Sequence, residues 1–160
     1  MQKKVQILGL GNTYLGDDAV GIHVVRELKP LLEPLGIDAV EAELGGFGLA
    51  EILGGYDRAI IVDAVKFGNA PPGTISRYTI EDFRYSVHTA HVHGINLPSA
   101  LEITESLGMK VPDPIVIITI EAEEIYTFGA PMTSGVADAV PKAAEMVIKE
   151  LREWGYELQS

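Results

Sequence analysis

The chain has 160 residues, no cysteine, and 23 Asp and Glu against 12 Lys and Arg, a formal charge of −11. That length suits one domain with its own core, residues 1–160, and the absence of thiols excludes disulfides, cysteine metal sites and thiol catalysis. The scattered bases disfavour a nucleic-acid partner, the opening Met-Gln-Lys-Lys leads into too few apolar residues for a signal peptide, and no run is long enough to span a membrane, so a cytoplasmic protein is expected.

Residues 5–10, with Val5, Ile7 and Leu8, read as the first strand. The stretch Gly9-Leu-Gly-Asn-Thr-Tyr-Leu-Gly-Asp-Asp-Ala-Val-Gly21 turns it into a helix over residues 17–29. Val20, Val24, Leu28, Leu31 and Leu35 recur at steps of three or four and form the apolar face. Asp17 or Asp18 is placed to accept first-turn amide hydrogens, and Pro30 and Pro34 limit the helix. Residues 37–43 form a second strand, Gly45, Gly46, Phe47 and Gly48 a permissive turn, and residues 49–53 a short helix. Residues 58–63 carry the run Ala59, Ile60, Ile61 and Val62, as a strand covered on both faces requires, and end it on Asp63.

Residues 66–72 read as loop and residues 73–80 alternate as an antiparallel edge strand, with residues 81–91 irregular. A helix starts at Asn96, with Pro98 in its first turn, Leu97, Leu101 and Leu107 apolar, and Gly108 as its stop. Residues 115–120 are a second buried strand, which ends at Glu121. After a loop over 121–131, Thr133 or Ser134 caps a last helix with Val136, Val140, Ala144, Val147 and Leu151 on one face, which Pro141 bends or shifts. The alternation predicts an α/β fold: a three-layer α/β/α sandwich around a mostly parallel sheet of about five strands, one edge strand antiparallel.

Three residues invite a chemical reading. Asp18 follows the first strand, Asp63 ends the third, and His93 precedes the later helix, so a parallel sheet brings the first two to one edge within reach of a loop histidine. Two carboxylates and an imidazole make an incomplete shell for a borderline divalent metal such as nickel or zinc, and equally an acid, a base and an orienting group without metal. Asp17 reads as a cap or a solvated carboxylate, and His23 as a surface or packing residue of the first helix. His88, His91 and His93 look like a metal tract, but in an extended loop successive residues point to opposite sides, so at most two of them converge. Glu121, Glu123 and Glu124 read as a solvated run, with Glu121 at the correct edge. Gly9-Leu-Gly11 lacks the third glycine of a dinucleotide fingerprint, and two acids at the helix start would repel a pyrophosphate and favour a cation.

In order, Gly9 to Gly21, Ile60-Ile-Val-Asp-Ala-Val65, Pro72-Gly73-Thr74, His93-Gly-Ile-Asn-Leu-Pro-Ser-Ala-Leu101 and residues 129–140 resemble the hydrogenase maturation proteases along the whole chain. These enzymes trim the carboxyl-terminal tail of the large subunit of nickel-iron hydrogenases after nickel insertion. The resemblance implies that Asp18, Asp63 and His93 are the metal-recognising positions, with His91 the second choice for the histidine. Asp18 stands where the family often has glutamate, and Leu44 and Phe47 replace the acid and threonine that commonly flank the second glycine turn. It further implies that the nickel belongs to the substrate, the large-subunit precursor, and completes its coordination on the three side chains. Hydrolysis then proceeds through metal polarisation of the scissile carbonyl or water, or through Asp18 or Asp63 as general base. Two other classes are an assembly chaperone that senses nickel without cutting, and a peptidyl-tRNA hydrolase, whose opening Gly9-Leu-Gly-Asn12 resembles while the acidic charge opposes it.

Overall fold

A computed structural model describes residues 3–43, 48–85, 91–92 and 95–158. Its elements in order are β1 (Val5–Leu10), a 3-10 turn (Gly16–Ala19), α1 (Val20–Leu32), a second 3-10 turn (Glu33–Leu35), β2 (Asp38–Ala42), α2 (Gly48–Leu53) and β3 (Arg58–Val65). They continue with β4 (Ile75–Thr79), α3 (Ile80–Tyr85), the two-residue strands β5 (His91–Val92) and β6 (Ile95–Asn96), α4 (Leu97–Ser106), β7 (Ile115–Glu121) and α5 (Ser134–Glu153). Among these, no helix is long and apolar enough to cross a membrane.

The apolar runs of β1, β3 and β7 form the sheet centre, where both faces must be covered. The order is β2-β1-β3-β7-β4, parallel except for β4, which pairs antiparallel with β7 as the alternation of its residues predicts. Period-two alternation divides the core in two. Ile7, Ile60, Val62 and Ile118 meet Val24, Leu28, Val136, Val147 and Leu151 of α1 and α5 on one face. Leu8, Leu10, Ile61 and Ile117 meet Leu49, Leu53, Ala100 and Leu101 of α2 and α4 on the other. The result is the expected three-layer α/β/α sandwich. Arg77 of β4 pairs with Glu150 of α5 and ties the edge strand to the helical layer.

Several local expectations fail for identifiable reasons. α1, expected to stop before Pro30, runs through it to Leu32. α5 runs 20 residues through Pro141 from an unshifted start at Ser134, which leaves the bend as the form the expectation takes. Each proline lies on the exposed side of its helix. The cost of an interior proline, about 3 kcal/mol, is outweighed by core side chains worth about 1.5–3 kcal/mol each, seven of which α5 buries: Val136, Ala139, Ala143, Ala144, Val147, Ile148 and Leu151, its alanines contributing less. Residues 80–85 are α3, with residue 80 expected to close the edge strand and residues 81–85 expected to be irregular. The Asp82 carboxylate accepts from the amide and hydroxyl of Thr79, the return half of a capping box legible in the Thr79-x-x-Asp82 spacing. Leu107 is 64% exposed, because the helix ends before it and Gly108 adopts φ +76°.

Candidate active site at the carboxyl edge of the sheet

β1 leads through α1 to β2 on one side, whereas β3 leads to the strands on the other. The carboxyl ends of β1 and β3 therefore diverge at a topological switch point, the place where open α/β sheets hold ligands. The last β1–β3 pair is Gly9 with Val62, and Asp63 is the next residue of β3. Asp63, expected to end its strand with the apolar run, does not. β3 continues to Val65, with Asp63 opposite Thr119, because β7 keeps pairing after β1 has stopped. Asp63 is wholly buried, and its Oδ1 accepts the Ala64 amide at 2.8 Å.

The glycines of the opening motif do more than turn the chain. A Cβ on Gly21 would lie 2.3 Å from the Val62 carbonyl oxygen, and one on Gly9 would lie 2.5 Å from that of Gly21. One on Gly11 would lie 2.1 Å from the Asp18 carbonyl oxygen. Main chain packs directly on main chain, so the 3-10 turn and the start of α1 sit against the end of β3. Asp18, with 9% exposure, lies in that turn. The structure thus brings Asp18 and Asp63 to the same sheet edge.

Asp17 departs from its expected role. The N-cap position of the turn is Leu15, and the wholly buried Asp17 carboxylate reaches across to the segment between β7 and α5. Its Oδ2 accepts the amides of Glu123 and Glu124 at 2.8 and 3.0 Å, and its Oδ1 accepts the Thr133 amide at 2.7 Å. Thr133 is the N-cap residue of α5, as expected, but its hydroxyl donates to Asp17 instead of capping the helix. The anion also lies at the favourable positive end of α5.

The acidic run after β7 is only partly solvated. Glu121 is buried, and its carboxylate accepts the amides of Phe67 and Gly68 at 3.4 and 3.0 Å, fastening the loop that follows β3. Glu123 is exposed, as expected. Glu124 accepts the amides of Tyr126 and Thr127, both at 2.7 Å, and these bonds hold its carboxyl below the usual 4.5. A lowered value makes this contribution present above the ordinary carboxylate range and lost as pH falls through the depressed one. Hydrogen-exchange protection of the Tyr126 and Thr127 amides is therefore expected to collapse on acidification before that of the α5 amides. Protection that persists until global acid unfolding would show that the Glu124 bonds do not hold this loop.

His23 is half-buried on α1, as expected for a packing residue. His88 and His93 lie outside the described residues, as do Leu44, Gly45, Gly46 and Phe47, and of His91 only the backbone, in β5, is described. Among the described residues, no three His, Asp or Glu side chains gather as a metal-binding group. Sequence reasoning missed Asp17 and Glu121 as ties between loops, because their amide partners are about 50 to 116 residues away and carry no side-chain signature.

A family model described as hydrogenase maturation protease matches residues 22–150. Protein FrxA of Pyrococcus furiosus is 32% identical over 148 residues, which cover 87% of this chain and 98% of the relative. Hydrogenase 2 maturation protease of Escherichia coli is 24% identical over 156 residues, 96% of this chain and 94% of that one. The structure also resembles that of the hydrogenase maturating endopeptidase HybD from E. coli, with a TM-score of 0.79 and 25% identity over 97% of this chain and 96% of the other.

Proposed function

The chain belongs to the hydrogenase maturation protease family, and from that membership we propose that it removes the carboxyl-terminal tail of a nickel-iron hydrogenase large-subunit precursor once nickel has been inserted. The observation that carries this reading is the placement of two largely buried carboxylates, Asp18 and Asp63, at the switch point of the sheet. Carboxylate oxygens at one edge favour a cation over an anion, and with an imidazole nitrogen they match the preferences of a borderline divalent ion. His93 supplies that nitrogen in this proposal.

Nickel enters as part of the substrate. A precursor that already holds it docks by completing the metal's coordination on Asp18, Asp63 and His93, whereas an empty precursor has no ion to offer. The docked tail then meets either a carbonyl polarised by the ion or a water deprotonated by Asp18 or Asp63, so the peptidase is metal-assisted or of aspartic type. We place this reaction in the cytoplasm.

Purified protein incubated with nickel-loaded and nickel-free precursor tests the reading by mass spectrometry. Loss of the tail from the loaded form alone is expected. Equal cutting of both forms would overturn docking through nickel, and tight binding without shortening would favour the chaperone.

A further inference from the structure

Five large apolar side chains stand exposed among the described residues, and three of them lie on two loops joined to each other. These are Tyr14, Tyr126 and Phe128, with exposures of 60%, 75% and 76%. The other two, Leu31 and Leu107, lie apart on α1 and after α4. Tyr14 and Phe128 stack, with ring centroids 5.5 Å apart and 18° between their planes. The Gly129 amide donates to the Tyr14 carbonyl at 2.6 Å, so the backbones of the two loops are joined beside the rings. The Lys66 ammonium stands 5.1 Å from the centre of the Tyr126 ring.

The supporting chain is held down at several points. Asp17 accepts from Glu123, Glu124 and Thr133, and Glu124 from Tyr126 and Thr127. An exposed aromatic pair on anchored loops gains little for folding beyond its own stack. For a partner it is a surface already ordered, with less conformational freedom to lose on contact, and aromatic side chains of this kind dominate interface energetics. The loops also leave the same sheet edge as the candidate site: Tyr14 is four residues before Asp18 and Lys66 three after Asp63. The Asn12 amide donates to the Asp18 carbonyl at 3.3 Å and the Asp17 amide to that of Glu124 at 2.8 Å, so the loops that carry the rings flank the turn that holds Asp18.

We infer that Tyr14, Tyr126 and Phe128 form a docking platform for the precursor beside the metal-recognising edge, taking an apolar side chain of the precursor on the rings while Lys66 donates to one of its carbonyl oxygens. The inference rests on the maturation reading above and adds to it a contact that does not involve the metal. A second copy of this chain would cover the same edge and compete with the substrate.

Steady-state cleavage of nickel-loaded precursor by the full chain provides the test. The double variant Tyr14→Ala with Phe128→Ala is expected to raise KM about tenfold with kcat within about twofold. Tyr14→Phe keeps the ring and is expected to retain wild-type KM, as is Leu107→Ala, an exposed apolar residue away from the patch. If the double variant loses its fold by circular dichroism, Tyr126→Ala, whose ring is outside the stack, is expected to raise KM about threefold. Unchanged KM in a folded double or Tyr126→Ala variant, while wild type cuts, overturns the platform and leaves the maturation reading standing. A wild-type chain that leaves loaded precursor uncut overturns both. A dimer that the double variant dissolves without a change in KM makes the patch a self-association face and overturns the inference.

Discussion

Asp63→Asn is expected to slow cleavage of nickel-loaded precursor about a thousandfold, a loss of about 4 kcal/mol of transition-state stabilisation. The thermal midpoint should move by no more than about 3 °C. The substitution preserves shape and leaves an oxygen for the Ala64 amide, which donates to Oδ1 at 2.8 Å. What it removes is the negative charge, at a wholly buried position on the edge where β1 and β3 part. If that charge takes up the substrate's nickel, catalysis falls while the fold stays. A cleavage assay paired with calorimetry separates the outcomes: wild-type cleavage would remove Asp63 from the proposed site, and a large drop in midpoint would make it a structural residue.

Asp17→Ala, one residue from the other proposed ligand, should show the opposite pattern and cost about 3–5 kcal/mol of stability. The carboxylate is wholly buried and satisfies three amides, of Glu123, Glu124 and Thr133, together with the Thr133 hydroxyl. Charge-assisted bonds of this kind are worth about 1.5–3 kcal/mol each, and truncation leaves the donors facing a void. Against a total stability of about 5–15 kcal/mol the loss is severe. At a urea slope near 2 kcal/mol/M it lowers the unfolding midpoint by about 2 M. A midpoint within about 0.3 M of wild type would show that the segment between β7 and α5 does not depend on Asp17.

Two adjacent acids in one turn thus have separate duties, and local sequence could not divide them. Both precede an apolar helix, and both suit a helix start by composition. The division follows from direction: Asp17 points its oxygens to a segment more than 100 residues later, whereas Asp18 sits on the turn that glycine packing presses against β3.

The sequence by itself determined the five strands of the main sheet, the first, second and last helices and the helix before β7, the antiparallel edge strand, and the convergence of Asp18 and Asp63 on one edge. Each follows from local rules: apolar period, glycine and proline punctuation, and the parallel direction that a strand-helix-strand order imposes. The motifs of the glycine turn, the central strand and the later helix also carried the family. Only the tertiary structure decided the rest. β3 continues past Asp63 because a neighbouring strand still pairs with it. α1 and α5 continue past their prolines because core burial exceeds the local penalty. Asp17 and Glu121 became loop ties because backbone amides from distant segments, identical in every residue type but proline, happened to be brought before them. A hydrogen bond to a main-chain amide is invisible in sequence until folding supplies the partner.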